Sequence, residues 1–286
     1  MIAAGVMTVA GLNVSPVMAA DVGDQYPRIQ QIRNATMKIT YGSNTFLIDP
    51  MLSRKGAFPG FNGTVNNDKR NPLIELPVST DDVISGVSAV IVTHTHLDHW
   101  DEAAQKLLPK NLPIFVQNKS DASILDGQGF TNVTVLEKSV KFNGVTLTRT
   151  GGQHGTDEMY SSPEVAKGLG KAMGVVFEAP KEKTAYLAGD TIWCSDVDRA
   201  IENYRPGVII LNTGDAKLQA YPGAIIMGKE DVLRAVKKSP GSIIVATHMD
   251  AINHTMLSRE ELGEYVKKQK IADRVRIPAD GANVDF

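Results

Sequence analysis

One stretch of twelve residues, from Ala89 to Trp100, constrains the fold of this chain more than any other. Its first four residues are all small or β-branched and apolar, which is typical of a strand that is covered on both faces. Polar side chains follow at once, so the chain is expected to leave the core there and enter a functional loop. The polar part of the stretch reads Thr93-His94-Thr95-His96-Leu97-Asp98-His99.

Half of the six histidines of the chain lie in this stretch, together with one aspartate. Imidazole nitrogen and carboxylate oxygen are donor atoms that zinc, manganese and ferrous iron share. Four such side chains on one turn cannot all point at a single ion, so the pattern predicts two metal ions close together. Hydrogen-bonded core histidines or a solvated loop are the ordinary alternative, which explains one histidine better than three. The predicted ligands here are His94, His96, Asp98 and His99.

Length and charge limit the classes of partner. A chain of 286 residues without a Pro/Gly/Ser-rich seam favours a single domain, placed at residues 21–286. The net charge is −2 and no lysine/arginine run exceeds a pair, so neither nucleic-acid binding nor stable membrane association is indicated. The single cysteine, Cys194, excludes an internal disulfide framework. A small-molecule substrate is therefore expected, and the oligomeric state stays open.

The first twenty residues have the layout of a secretory signal peptide. An apolar segment is followed by a break and by small residues that suit cleavage after Ala19 or Ala20. The first basic residue is Arg28, so the basic n-region that usually begins a signal peptide is missing. The alternative is an N-terminal leader that is disordered or that packs on the protein. The segment is too short and too interrupted to span a membrane. The protein is expected to be periplasmic or secreted if this segment is a signal peptide, and cytoplasmic otherwise.

Three further metal-ligand residues each follow a predicted strand, as His94 does. They are His154, Asp190 and His248. In α/β folds, binding groups gather beyond the carboxyl ends of strands, because the loops there share one edge of the sheet. Any one of them alone is more often a structural residue, but with the dense motif they predict a closed two-metal site.

Several other segments carry predictions that the structure can test. Residues 53–77 form a long loop with Phe58 and Phe61, either a flap over a pocket or a plain surface excursion. The segment that follows His154 is predicted to be flexible, and Ser195 is predicted to be the N-cap of the helix after it. Near the end of the chain, Ser258-Arg259-Glu260-Glu261 predicts a capping box that opens the last helix.

These motifs resemble those of the metallo-β-lactamase superfamily. The resemblance rests on Thr93-His94-Thr95-His96-Leu97-Asp98-His99, the later His154, Gly189-Asp190-Thr191 and His248, and it runs from about Ala35 to the C-terminus. It implies an α/β fold of the αββα type, in which two mixed β-sheets lie face to face with helices on both outer faces.

The resemblance also implies a role for each ligand. His94, His96 and His154 would hold one metal, Asp98, His99 and His248 a second, and Asp190 would bridge them. Two divalent ions are implied, most often Zn²⁺, with Mn²⁺ or Fe²⁺ as alternatives. A hydroxide between the two metals would attack a lactone or another activated acyl bond, and Asp98 could accept a proton.

Details of the resemblance narrow the reaction. Class B β-lactamases carry cysteine where Asp190 stands, which disfavours β-lactam hydrolysis, whereas Asp49-Pro50 is similar to bacterial lactonase-like members. Phosphodiester or phosphonate hydrolysis at the same site, or a catalytically silent metal-binding scaffold, are the alternatives. His254 is predicted to be a further catalytic residue, as a base or a substrate ligand, unless it is an ordinary surface histidine. Asp215 is predicted to line the entrance.

Overall fold

The computed structural model describes Met1 and residues 26–286. The predicted leader, apart from Met1, lies outside the described residues. Among the helices of the described part, none is both long enough and apolar enough to cross a membrane.

The first sheet contains six strands in the order β1-β2-β3-β4-β5-β6. The pairings β1–β2 and β2–β3 are antiparallel, and the pairings from β3 to β6 are parallel. The strands are β1 Arg28–Arg33, β2 Thr36–Tyr41, β3 Asn44–Ile48, β4 Ala89–Val92, β5 Ile114–Val116 and β6 Val133–Val135.

The second sheet contains seven strands in the order β13-β12-β11-β10-β9-β8-β7. It is parallel from β10 to β13 and antiparallel from β7 to β10. The strands are β7 Ser139–Phe142, β8 Val145–Thr150, β9 Gly174–Glu178, β10 Ala185–Leu187, β11 Val208–Asn212, β12 Ile243–Thr247 and β13 Val275–Arg276. Both sheets are mixed, as predicted.

Helices cover the outer face of each sheet. Helices α2 and α3 pack on the first sheet, and α6, α7 and α8 pack on the second. This confirms the predicted αββα sandwich. The helices are α1 Thr80–Ile84, α2 Glu102–Leu107, α3 Lys119–Gly127, α4 Asp157–Tyr160, α5 Pro163–Leu169, α6 Ser195–Tyr204, α7 Lys229–Lys238 and α8 Arg259–Lys268.

Strand β4 shows why its sequence is apolar throughout. Ala89 and Ile91 belong to the core between the two sheets, whereas Val90 and Val92 belong to the core beneath α2 and α3. All four side chains are fully buried. A strand that is covered on both faces has no position left for a polar residue, and its polar residues begin where it ends.

Two local predictions are wrong. The segment predicted to be flexible forms α4 and α5, which begin with a hydrogen bond from Met159 N to Thr156 Oγ1 and with Pro163 in the first helical turn. Helices this short contain too few residues to show a helical repeat of apolar positions in the sequence. Ser195 is the first residue of α6, and the N-cap is Cys194, one residue earlier. The capping box between Ser258 and Glu261 is confirmed.

Hydrogen bonds from buried side chains fasten the loop of residues 53–77 to the body of the protein. The Arg33 guanidinium, fully buried beneath the loop, donates to the carbonyl oxygens of Met51 and Ser53 at 2.8 Å and of Ile74 at 3.0 Å. The long, turn-rich middle part of this loop is therefore held at both ends. Of the two phenylalanines in this loop, Phe61 lines a cavity, whereas Phe58 is absent from the cavity lining among the described residues.

Candidate metal centre

The seven predicted ligands lie together at one edge of the sandwich. The loop after β4 supplies four of them, and the loops after β8, β10 and β12 supply His154, Asp190 and His248. Six of the seven are buried, and His96 is half-buried. Both sheets therefore contribute ligands, since β4 belongs to the first sheet and the other three strands to the second.

The seven side chains form two groups of donor atoms. His94, His96 and His154 make up the first group, and each group places its donor atoms within 4.8 Å of one another. The second group consists of Asp98, His99, Asp190 and His248. The grouping agrees with the one that the resemblance implies, with one aspartate counted in the second group.

Asp190 lies between the two groups. Its Oδ2 atom is 3.1 Å from Nε2 of His99 and 3.5 Å from Nε2 of His248. The same oxygen is 3.8 Å from Nε2 of His154 and 4.0 Å from Nε2 of His94, both in the first group. The side-chain amide of Asn212 donates to the other oxygen, Oδ1, at 2.6 Å, and so holds Oδ2 towards the centre. This is the position that a bridging carboxylate needs.

Hydrogen bonds on the outer side of the first group determine which ring nitrogens face inward. Nε2 of His96 lies 2.9 Å from the carbonyl oxygen of Gly168, and Nδ1 of His154 lies 2.9 Å from that of Ile225. A carbonyl oxygen only accepts, so each of these nitrogens carries the hydrogen. The opposite nitrogens, Nδ1 of His96 and Nε2 of His154, are left with lone pairs that point to the centre.

His94 is held in the same way. Its Nδ1 lies 3.2 Å from Oγ1 of Thr93, and that hydroxyl donates its own hydrogen to Asp49 at 2.8 Å. The hydroxyl therefore accepts from His94, whose Nε2 faces inward with a lone pair, 3.0 Å from Nδ1 of His96. Two lone pairs at this distance repel each other unless a positive charge lies between them. The first group thus suits a metal cation.

Asp49 plays the corresponding part in the second group. Its carboxylate accepts from the backbone N–H of Thr93 at 2.7 Å and from Nδ1 of His99 at 2.9 Å. This turns Nε2 of His99 inward, where it lies 3.1 Å from Nε2 of His248. Oδ2 of Asp98 is 3.3 Å from the same His248 nitrogen. Two carboxylates and two imidazoles therefore point at one position.

The electrostatics of the two groups differ. Burial lowers the pKa of His94 well below its ordinary value and lowers the pKa of His154 to about 4, which keeps both rings neutral. Burial also disfavours a charged His99, but the carboxylates around it raise its pKa well above the ordinary value. His99 in turn holds the pKa of Asp190 well below its usual range. The second group therefore calls for positive charge beside its carboxylates, which a divalent cation supplies.

The residues that hold the ligands in place are not evident from the sequence. Asp49 resembles the lactonase-like group, but the sequence predicts no contact for it, and it predicts no role for Thr93, Gly168 and Asn212. Their partners lie far away in the chain, since Asp49 contacts His99 50 positions later and Gly168 contacts His96 72 positions earlier. The only sequence signal is the pair Asp49-Pro50 at the end of a strand.

Replacing Asp49 with asparagine is expected to weaken metal binding about 10- to 100-fold, the usual effect of losing the outer partner of a metal-bound histidine. An amide cannot accept from Thr93 and His99 together, so the His99 ring loses its fixed tautomer. Competition with a metal-sensitive chelator measures this loss. The exposed Asp81→Asn variant is the matched control, and equal affinities in the two variants would contradict the assigned role of Asp49.

A cavity of about 700 Å³ opens onto the centre. Its floor includes His96, Asp98, His154 and Asp190. Its walls are largely apolar, and among the described residues that line it there is no lysine or arginine. The apolar wall residues include Phe61, Leu97, Val165, Leu169, Leu218 and Ile225.

The two remaining predicted residues have different positions. His254 lines this cavity and is buried, so the alternative of a surface histidine is wrong. The prediction for Asp215 is also wrong, because it is absent from the lining among the described residues. Its carboxylate instead forms an ion pair with Lys217 at 3.1 Å, on a backbone with φ of 48°.

Comparison with known proteins agrees with this geometry. A family model described as the beta-lactamase superfamily domain matches residues 44–249. The chain is 43% identical to the UPF0173 protein YddR of Bacillus subtilis (strain 168), over 90% of this chain and 99% of YddR.

Two solved structures are similar over nearly their whole length. A protein described as a possible metal-dependent hydrolase from Veillonella parvula DSM 2008 is 49% identical, with a TM-score of 0.90, covering 91% of this chain and 99% of that protein. An isothiocyanate hydrolase from Delia radicum gut bacteria is 46% identical, with a TM-score of 0.88 and the same coverage of both chains.

Proposed function

Because this chain belongs to the metallo-β-lactamase superfamily of metal-dependent hydrolases, we propose that it holds two divalent metal ions and hydrolyses small uncharged molecules at an electron-poor carbon. Isothiocyanates are the leading substrate class, and lactones or other activated acyl compounds are the second. One observation carries the proposal: two groups of metal-ligand atoms meet at Asp190, on the floor of an apolar cavity whose described lining has no cationic side chain.

The donor atoms support two ions. The first group offers three neutral imidazole nitrogens, a set that suits zinc, and the second adds carboxylates that manganese or ferrous iron also accept. When bound, such a pair of ions polarises the substrate and lowers the pKa of water towards neutrality. One oxygen of Asp190 lies within 4.0 Å of imidazole nitrogens from both groups. The negative charge of this carboxylate would offset the repulsion between two cations.

The protein's own residues would orient the substrate and move a proton. The apolar walls, including Phe61 and Leu169, would hold an alkyl or aryl substituent and exclude bulk water. Asp98 both belongs to the second donor group and lines the cavity, so its carboxylate is placed to take a proton from the attacking water. In the hydrolysis of an isothiocyanate, the oxygen of water bonds to the central carbon and the carbon–nitrogen bond breaks. The nitrogen takes up both hydrogens of the water and leaves as an amine, and carbonyl sulfide remains.

The charge of the cavity argues for uncharged substrates over phosphodiesters and phosphonates. Enzymes that bind phosphoryl oxygens usually offer arginine or lysine to the anion. Here the described lining has neither, and Glu164 places a carboxylate at the wall. The 46% identical structure is an isothiocyanate hydrolase, whose named substrate is uncharged and electrophilic at carbon. Isothiocyanates therefore lead the proposal.

The proposal is tested by removing the metal, adding it back, and measuring the turnover of three compounds in each state. We expect the chelator-stripped protein to lose turnover of benzyl isothiocyanate and δ-valerolactone, and added zinc or manganese to restore it. Bis-p-nitrophenyl phosphate should be turned over with kcat/KM at least about 100-fold lower, because it is anionic. The His96→Ala variant should stay inactive after reloading.

Three outcomes would count against the proposal. Full turnover in the stripped protein would exclude a metal-dependent reaction. Fastest turnover of the phosphodiester would favour the phosphoryl alternative. A fully metal-loaded protein that is inert towards all three compounds would favour the silent scaffold.

A further inference from the structure

His254 is the one imidazole whose ring nitrogens make no hydrogen bond within the described part of the protein. It is only 6% exposed, and its Nδ1 atom is fully buried without a partner. The other five imidazoles each have a ring nitrogen within hydrogen-bond distance of a neighbouring side chain or carbonyl. Burying a polar group without a partner destabilises a protein by about 1–3 kcal/mol, so His254 needs an explanation.

The position of this ring is nevertheless well fixed. The preceding residue, Asn253, donates from its backbone N–H to Asn71 at 2.8 Å and from its side chain to Thr64 and to the carbonyl of Val65, both at 2.8 Å. The carbonyl of His254 accepts from Lys217 N at 3.1 Å. Hydrogen bonds therefore hold the backbone on both sides of the ring, although the ring itself makes none with the described residues.

The surroundings of the ring restrict where it can point. Phe61 packs edge to face against it, with ring centroids 5.2 Å apart at 87°. The ring lines the cavity that also contains Asp98, His154 and Asp190. His254 belongs to neither group of metal-ligand atoms. It therefore lies beside the space where a substrate would bind, with no hydrogen-bond partner for the ring among the described residues.

We propose that His254 binds the substrate directly and donates a ring N–H to the atom that leaves the attacked carbon. That atom is the nitrogen of an isothiocyanate or the ring oxygen of a lactone, and the inference rests on the hydrolysis proposed above. Negative charge develops on this atom as its bond to carbon breaks, and the ring N–H stabilises that charge by a hydrogen bond while His254 keeps its own hydrogen. The leaving atom takes its hydrogen from the attacking water by way of Asp98, so nitrogen departs as an amine and the lactone oxygen as a hydroxyl. Burial lowers the pKa of His254 to about 4, so the ring is neutral near pH 7 and keeps one N–H.

A histidine that binds substrate and a histidine that holds the structure together differ in what their removal does to stability. Phenylalanine has a similar shape and removes both unpartnered nitrogens. The His254→Phe variant should therefore unfold at the same temperature as the wild type or higher. Removing a histidine that held the structure together would lower the unfolding temperature. The metal content of zinc-loaded protein should be unchanged, since the ring is not a ligand.

The decisive activity test compares substrates whose leaving groups depart with difficulty with one whose leaving group departs easily. In the zinc-loaded full chain, His254→Phe should lower kcat about 100-fold or more for δ-valerolactone and benzyl isothiocyanate, the usual size of such a contribution. For p-nitrophenyl acetate, whose leaving group needs little help, the loss should stay below about tenfold. His254→Gln, which can offer an N–H at similar reach, should recover part of the loss.

The outcomes distinguish this inference from the proposed function. Wild-type turnover that His254→Phe leaves unchanged, or lowers equally for all three compounds, would overturn the role of His254 alone. Loss of metal or a fall in unfolding temperature would do the same, because either result makes the residue structural. A wild-type protein that is inert towards all three compounds would overturn the proposed function, and this inference with it.

Discussion

Replacing Asp190 with asparagine is expected to lower kcat/KM about 1,000-fold or more, equivalent to about 4 kcal/mol, and to lower the metal content of the protein. One oxygen of this carboxylate lies within 4.0 Å of four imidazole nitrogens that belong to both donor groups. The amide has nearly the same shape but no negative charge. Two cations would then repel each other without compensation, so at least one of them should be lost.

Metal analysis and steady-state kinetics on the same preparation measure both effects. The Asp68→Asn variant is the matched control, because it makes the same chemical change at an exposed position on the loop of residues 53–77. It should keep wild-type metal content and turnover. An Asp190→Asn protein that retains two ions per chain and full turnover would show that the two groups do not depend on a shared carboxylate.

Replacing Arg33 with methionine is expected to lower the free energy of unfolding by about 3–5 kcal/mol. The buried guanidinium donates to three carbonyl oxygens, those of Met51, Ser53 and Ile74. Methionine fills similar volume but leaves these carbonyls without a partner. Burial lowers the pKa of Arg33 to about 10, partly countered by the carboxylate of Asp101, so the guanidinium stays charged near pH 7 and can donate to all three carbonyls.

Denaturant unfolding measures this effect, and limited proteolysis locates it. Cleavage within residues 53–77 should become faster, because Arg33 holds both ends of that loop. Arg28→Met is the matched control: Arg28 lies on the same strand but is exposed, and its loss should change stability by less than about 0.5 kcal/mol. Equal stability of the two variants would contradict the anchoring role of Arg33.

Three features of the protein were predictable because each depends on residues that are neighbours in the chain. The uninterrupted apolar run of β4 indicated a strand covered on both faces, and the structure places its alternate residues in two different cores. The dense histidine motif indicated two groups of metal-ligand atoms. Because His154, Asp190 and His248 each follow a predicted strand, they were expected to lie at one edge of the sheet. Local patterns of this kind follow from backbone periodicity and donor chemistry alone.

Short helices and single polar residues were not predictable in the same way. Helices α4 and α5 contain too few residues for a hydrophobic period, and the N-cap of α6 is a cysteine with an extended backbone whose side chain makes no capping hydrogen bond. Asp215 has a left-handed backbone, and its side chain forms an ion pair with Lys217. Nothing in the order of the residues reports such backbone angles.

The support of the metal centre and the character of the cavity depend on contacts between distant parts of the chain. Asp49 orients His99, Asn212 orients Asp190, and Arg33 ties down a loop that ends 44 positions after it. Within the described residues, the ring of His254 is distinctive because it makes no hydrogen bond, and only the folded structure shows this. The linear order of residues therefore accounts for which atoms can bind metal. Only the packing of the two sheets accounts for how those atoms are held and which substrates can reach them, because both depend on residues that folding alone brings together.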